Sequence, residues 1–212
     1  MTHTRETRIA AIIGAVARQA LHDRGAQRIA LLDDGGPEAR FAARVLADAL
    51  DADAVVRVTA TDAEVESVLH LAPGVSGEDL RHELCRLKAR LVPGALAAHP
   101  GNKTALLLGT PLPPEPLLPL GDLWASEAAE LAGGWSAPAP VRRIAEDAGG
   151  IEKLDDALRA FVDRRDPRGL DGLPDGVANA VRRALAAGRA GRMHSMIVPK
   201  LGARTLGVDL FE

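Results

Sequence analysis

The stretch "IALLDDGGPEARFAARVLADAL", residues 29–50, decides the fold. Its first residues, Ile29–Leu32, form an apolar run with the length of a buried strand. A double-glycine turn follows, and Pro37 suits the first turn of a helix that we expect to run to about Leu50. The β-branched run "AVVRV" at residues 54–58 then predicts a second strand. A strand, a helix and a strand in this order indicate a parallel sheet with right-handed crossovers.

The remainder of the chain is dominated by segments in which apolar residues recur at helical spacing. One such segment precedes the first strand, over residues 6–24, and Gly25 fits its C-cap. Further helices are predicted over residues 61–72, 78–92, 123–133, 138–148, 151–165 and 174–190. Residues 104–110 fit a strand or a turn of helix, and the five prolines of residues 110–123 predict a loop. We therefore expect one α/β domain over residues 1–212, with a parallel sheet flanked by helices and a helical C-terminal region.

Composition and charge narrow the class of protein and of partner. The 212 residues are 47% hydrophobic and 26% charged, which is ordinary for a globular protein and sufficient for a core. The net charge of −3 does not indicate a nucleic-acid partner. No apolar run approaches the ~18 residues of a membrane span, and the N-terminal sequence has no signal-peptide core. Because Cys85 is the single cysteine, no intramolecular disulfide can form. We expect a cytoplasmic protein that binds neither nucleic acid nor membranes.

The first candidate site is the loop that holds Gly35 and Gly36. Glycines let backbone N–H groups approach a phosphate closely, and the start of the next helix adds a partial positive charge. Three acidic residues of this loop, Asp33, Asp34 and Glu38, would repel a phosphate. The alternative is a tight connection in which Asp34 caps the helix and Glu38 lies in its first turn, where a carboxylate contributes ~0.3–1 kcal/mol.

Two further motifs follow along the chain. In "HPGNKTALLLG", residues 99–109, Asn102, Lys103 and Thr104 offer an amide, a cation and a hydroxyl, a set that suits a polyphosphate or a carboxylate. The alternative is a polar turn that caps the next segment. In "PLGDLWASEAAELAG", residues 119–133, Asp122 stands just before a predicted helix, and taken by itself it is better explained as the N-cap of that helix. Ligands of such sheets bind at the carboxyl ends of the strands, where the glycine loop and Asn102 should cluster.

The order of these motifs resembles the ammonia-dependent NAD synthetases of the ATP-pyrophosphatase (PP-loop) group. That family shows Gly-Asn-Lys-Ser/Thr-Glu, then a loop, then Pro-Leu/Ile-Gly-Asp-Leu before a helix, and this chain has "GNKTA" and "PLGDL" in those places. The segment "DGGPEA", residues 34–39, lies where the family has Ser-Gly-Gly-x-Asp-Ser. The segment "HSMIVP", residues 194–199, lies where it has His-Lys-Arg-x-x-Pro. The resemblance covers most of the chain and is loose between residues 51 and 90.

The resemblance implies a doubly wound, adenine nucleotide alpha hydrolase-like fold and a homodimer. It implies ATP-dependent amidation of deamido-NAD by ammonia through an adenylated intermediate, with ATP and Mg²⁺ as cofactors. The matching positions are Gly35, Gly36, Glu38, Asn102 and Thr104 for the nucleotide, Glu38 also for the metal, Lys103 for catalysis, and Asp122, Leu123 and His194 for deamido-NAD.

The chain departs from the family at most chemical positions. Asp34 and Ala39 replace the two serines of the loop, Glu38 replaces its aspartate, and Ala105 replaces the magnesium glutamate. The two family lysine positions hold Ala125 or Ser126, and Ser195-Met196. Losing one preorganised electrostatic partner costs roughly 3–4 kcal/mol of transition-state stabilisation. Three hypotheses follow: an amide-forming enzyme with a rebuilt site, a catalytically inactive relative that binds a nucleotide or a protein, or a structural module. The residue chemistry favours the second.

Overall fold

The computed structural model describes residues 5–71, 74–109, 116–191 and 196–201. Three parallel strands form the sheet, in the order β2-β1-β3. Their bounds are Arg28–Leu32 for β1, Val55–Val58 for β2 and Ala95–Ala98 for β3. In the register, Ile29 of β1 stands opposite Val55 of β2 and Leu96 of β3. The parallel sheet expected from the sequence is therefore confirmed.

Helices account for most of the remaining described residues. They are α1 (Arg5–Asp23), α2 (Pro37–Ala49), α3 (Asp62–Leu69), α4 (Gly77–Arg90), α5 (Lys103–Leu107), α6 (Ala125–Ala132), α7 (Ala139–Ala148), α8 (Ile151–Leu158) and α9 (Asp175–Gly191). A 3-10 turn covers Ala52–Ala54, and a π-helical turn, Arg159–Asp163, continues α8. No helix among the described residues is long and apolar enough to cross a membrane.

The sheet is covered by helices on both faces. Along β1, Ile29 and Leu31 pack with α1 and α2 on one face. Ala30 and Leu32 point to the other face and pack with Val65 of α3 and with residues of α4. Alternation of this kind is the consequence of the two-residue period of a strand. Together with the sheet order, it makes this a doubly wound α/β fold.

A third hydrophobic cluster lies in the helical C-terminal region. It joins α5 to α7, α8 and α9, with Leu107, Val141, Leu154 and Val181 among its most buried members. The helical C-terminal region expected from the sequence is confirmed by this cluster.

The proline-rich segment after α5 contributes to the sheet edge. Leu117 forms isolated parallel bridges to Ala98 and to Ile197. The backbone N–H of His99 donates to the carbonyl of Leu117 at 2.9 Å. Residues 116–123 contain no helix and no named strand, in agreement with the loop predicted there. The rest of that loop, residues 110–115, lies outside the described residues.

Candidate functional site at the carboxyl edge of the sheet

A cavity of about 540 Å³ lies at the carboxyl edge of the sheet. Most of its lining comes from the glycine loop after β1, from α4, from the segment after β3 and from the turn between α6 and α7. The polar side chains that line it include Asp34, Glu38, Asp79, His82, His99 and Asn102. Its volume falls within the range of small-molecule sites. This is the edge at which the sequence analysis expected a ligand.

The N–H groups of the glycine loop are occupied by the chain's own carboxylates. Gly35 donates its N–H to Asp33 Oδ1 at 3.0 Å, and Gly36 donates to Asp34 Oδ1 at 2.8 Å. Aspartates commonly bond the backbone two residues ahead in this way. A phosphate bound to these N–H groups would have to displace both carboxylates. Two of the three acidic residues that were expected to repel a phosphate, Asp33 and Asp34, are therefore hydrogen-bonded to the N–H groups of their own loop.

Asp33 is held firmly in this arrangement. It is buried, and its Oδ2 accepts a hydrogen bond from Arg57 Nε of β2 at 2.7 Å. Gly36 has no room for a side chain, because a Cβ atom there would lie 2.3 Å from Ser136 Oγ. The loop is thus packed directly against the turn between α6 and α7.

Glu38 is buried and bonded to the same turn. Its Oε2 accepts hydrogen bonds from the backbone N–H of Ser136 at 2.9 Å and from Ser136 Oγ at 2.8 Å. Burial raises the pKa of this carboxyl, and the nearby charge of Asp34 adds to the rise. The contacts join the first turn of α2 to residue 136, which stands 98 positions away in the sequence.

The described residues form no ready-made cluster of ligands for a Mg²⁺ ion. No group of three or more His, Cys, Asp or Glu among them converges on a point that could hold a metal. Ala105, at the second position that the family uses for magnesium, has no ligand atom. The assignment of Glu38 to a metal remains an untested prediction, and the Ser136 contacts do not favour it. We therefore derive no step through Mg²⁺.

Asn102 and Lys103 are neighbours in sequence, but their side chains contact different parts of the structure. Asn102 lines the cavity, and its side-chain oxygen caps α5 by accepting from the N–H of Ala105 at 3.0 Å. Lys103 is buried, and its Nζ lies 2.9 Å from Asp163 Oδ1 and 4.6 Å from the ring centroid of Trp124. It is not among the residues that line the cavity.

Thr104 belongs to a buried polar network. Its hydroxyl donates to Asp155 Oδ1 and accepts from the N–H of Ala125 at 3.0 Å. Asp155 Oδ2 also accepts from the N–H of Ser126 at 2.7 Å. Burial raises the pKa of Asp155. The sequence analysis did not identify Asp155. The signal was available, because Asp155 follows Leu154 and precedes Leu158 by one helical turn, which places a carboxylate on the apolar face of the helix.

The residues predicted for deamido-NAD lie at a different cavity. Asp122 and Leu123 line a space of about 360 Å³ between the start of α1, the start of α6 and Leu201. Asp122 Oδ2 accepts from the N–H of Leu201 at 2.7 Å, and the carbonyl of Leu123 accepts from the N–H of Lys103 at 2.7 Å. The two cavities share no lining residue. His194 lies outside the described residues.

A histidine pair in the larger cavity escaped the sequence analysis. His82 of α4 and His99 after β3 face each other with Nε2 atoms 3.3 Å apart and ring centroids 5.0 Å apart. Burial, aided by His82, lowers the pKa of His99 to about 3, so this ring is neutral at ordinary pH. No spacing rule joins residues 82 and 99, because their proximity arises only when α4 packs on the sheet.

Comparison with known proteins supports the fold. No model of a known protein family matches the chain, and no curated protein matches it. Among solved structures, the chain is similar to an NH3-dependent NAD synthetase from Campylobacter jejuni subsp. jejuni NCTC 11168, in complex with the nitrate ion. The TM-score is 0.56 at 14% sequence identity, over 87% of this chain and 95% of that chain. The chain therefore has an NAD synthetase-like fold.

Proposed function

We propose that this protein is an NAD synthetase-like nucleoside-binding protein that does not carry out the ATP-dependent amidation of its structural relative. The single observation that carries the proposal is the occupied glycine loop. Gly35 and Gly36 donate to Asp33 and Asp34, so these two N–H groups are not free for a pyrophosphate, and the loop presents negative charge instead. The cavity beside it still has the volume and position of a ligand site.

The charges of the cavity favour a ligand without phosphates. Asp34, Glu38 and Asp79 all line it, and a phosphate brought near them would meet like charges. Arg81 also lines it, but its guanidinium is bonded to Asp62 and to the carbonyl of Ala60. Carboxylates accept hydrogen bonds from hydroxyl and amino groups. A nucleoside offers both, on its ribose and its base.

The position of Lys103 also opposes phosphate chemistry. A lysine that balances charge on a phosphate must reach that phosphate, and Lys103 is instead bonded to Asp163 and stacked on Trp124. Removing a buried ammonium from its carboxylate partner is strongly unfavourable. The alternative function, amidation of deamido-NAD with ATP, would need Lys103 to leave this pair and Glu38 to leave Ser136.

The test is calorimetric titration of the purified protein with adenosine and with ATP, without added metal. We expect adenosine to bind, and ATP to bind at least about tenfold more weakly, a difference of about 1.4 kcal/mol. Asp34→Asn keeps an oxygen for the N–H of Gly36 but removes the charge, so it should reduce the difference in affinity between adenosine and ATP. Asp53→Asn, at an exposed position away from the cavity, is the control. Tighter binding of ATP than of adenosine by the wild type would overturn the proposal.

The homodimer implied by the resemblance stays a prediction, as do the single domain and the cytoplasmic location. Binding of deamido-NAD or another whole nucleotide belongs to the alternative function. In the titration it would be detected as phosphate-containing ligands that bind more tightly than adenosine.

A further inference from the structure

In the histidine pair, a backbone N–H group determines which ring nitrogen of His99 carries the proton. The N–H of Gly101 donates to His99 Nδ1 at 2.9 Å. A neutral imidazole has one protonated nitrogen and one acceptor nitrogen. Because Nδ1 of His99 accepts, its proton must be on Nε2. His99 is buried and neutral, so this tautomer is the form that the fold selects.

The tautomer of His99 fixes that of His82 in turn. The proton on His99 Nε2 points at His82 Nε2, 3.3 Å away, and that atom must accept it. A neutral His82 then carries its own proton on Nδ1. Among the described residues, the bond to His99 is the one hydrogen bond of the His82 ring. The hydrogen bonds from Gly101 to His99 and from His99 to His82 therefore leave His82 with an Nδ1–H donor that no described residue accepts.

His82 lies at the larger cavity, where a ligand could accept this hydrogen bond. Its half-buried ring lines the 540 Å³ cavity together with Asp34 and Glu38, which are hydrogen-bond acceptors. A ligand of this cavity therefore meets acceptors on the side of the glycine loop and an N–H donor on the side of α4. A nucleoside matches this pattern, because its ribose carries donors and its base carries ring-nitrogen or carbonyl acceptors.

We infer that His82 Nδ1–H is a specificity-determining donor to an acceptor atom of the ligand's base, and that His99 is the positioning residue that keeps His82 in this tautomer. The inference rests on the proposed function, because it takes the ligand to be a nucleoside. It goes beyond that function by naming the group that reads the base and the buried contact that orients it.

The first test needs no ligand. Long-range ¹H–¹⁵N spectra of the free protein at pH 8 distinguish the two neutral tautomers of each histidine. We expect the Nε2–H form for His99 and the Nδ1–H form for His82. His99→Leu, which removes the donor to His82, should turn His82 into a mixture of tautomers, whereas His99→Gln keeps an amide donor near the Nε2 position and should restore the Nδ1–H form. Finding His99 as Nδ1–H or His82 as Nε2–H in the wild type would overturn the inference.

The second test is adenosine affinity. His82→Leu should weaken binding by about three- to tenfold, the net value of one hydrogen bond. His82→Asn keeps an N–H donor near the position of Nδ1 and should retain most of the affinity. Adenosine should also shift the His82 Nδ1 resonance in the wild type. An unchanged affinity in His82→Leu, with its fold verified by circular dichroism, would overturn the inference while the proposed function stands. If the wild type does not bind adenosine, the proposed function fails and the recognition role fails with it, and the spectra of the free protein still decide the tautomers.

Discussion

Glu38 illustrates how a single residue that resembles a metal ligand instead serves the packing of the fold. Its carboxylate is buried between α2 and the turn at Ser136, and it accepts hydrogen bonds from both the backbone N–H and the hydroxyl of that serine. Burial raises the pKa of this carboxyl above its ordinary value of 4.5. Its ionised form is therefore less favourable in the folded protein than in the unfolded chain.

We predict that Glu38→Gln stabilises the protein at pH 7 to 8. Because the pKa of Glu38 is raised on folding, the folded state binds more protons, and wild-type stability falls as pH rises from about 4.5 through the raised pKa. Glutamine keeps an oxygen for Ser136 and has no such pH dependence. Urea unfolding at several pH values should show a higher free energy of unfolding for Glu38→Gln than for the wild type, and this difference should shrink as pH falls towards 4. Glu66→Gln, on the exposed side of α3, controls for the loss of one charge. A loss of stability in Glu38→Gln at pH 8 would contradict this view of the residue.

The sequence identified the glycine loop correctly as a strand-to-helix junction but could not show what its N–H groups bind. Asp33 and Asp34 directly precede the two glycines, so the sequence already places their side chains near the loop. Whether an aspartate repels a ligand there or replaces it depends on the rotamers at Asp33 and Asp34. The Asp33 side chain is held by Arg57, which stands 24 residues beyond it on the neighbouring strand.

At the scale of elements, the Thr104–Asp155 network joins three helices. The hydroxyl of Thr104 belongs to α5, its donor Ala125 begins α6, and its acceptor Asp155 belongs to α8. The first two helices are short, with 5 and 8 residues, and short helices gain most of their stability from tertiary contacts. The buried network therefore ties α5, α6 and α8 to one another.

We predict that Thr104→Val destabilises the protein by roughly 2–4 kcal/mol. Valine has nearly the same shape as threonine but leaves the N–H of Ala125 without its acceptor and Asp155 without one donor. Each buried polar group that loses its hydrogen bond costs about 1–3 kcal/mol. Thr104→Ser keeps the hydroxyl and should lose much less. Chemical denaturation of the two variants measures the difference. Equal stability of Thr104→Val and the wild type would show that the network contributes nothing.

Individual elements show where local sequence patterns suffice. The bounds of α2 were predicted closely, because Pro37 marks its start and its apolar spacing is clear. The strand β3 was not predicted, because "ALAA" at Ala95–Ala98 consists of good helix formers. Its strand conformation is imposed by pairing with β1. Propensity is a weak guide where tertiary context decides.

At the scale of the whole molecule, the predicted site residues divide between separate surroundings. Asn102 and the glycine loop meet at the larger cavity, Lys103 and Thr104 enter the helical C-terminal region, and Asp122 lies at the smaller cavity. Motif order could not reveal this division. Asn102 and Lys103 are adjacent, yet the first turn of α5 directs their side chains to different neighbours. The fold follows from the pattern of elements, whereas the site depends on contacts across the whole chain.

The most direct test of the central claim is turnover by the folded protein. We would supply ATP, Mg²⁺, deamido-NAD and ammonia at saturating concentrations and measure NAD and AMP together. We expect no NAD or AMP above a control without protein, from a sample that unfolds cooperatively and binds adenosine. Equal amounts of NAD and AMP that disappear in Lys103→Ala would contradict this expectation, because they would show that a rebuilt site still performs the phosphate chemistry.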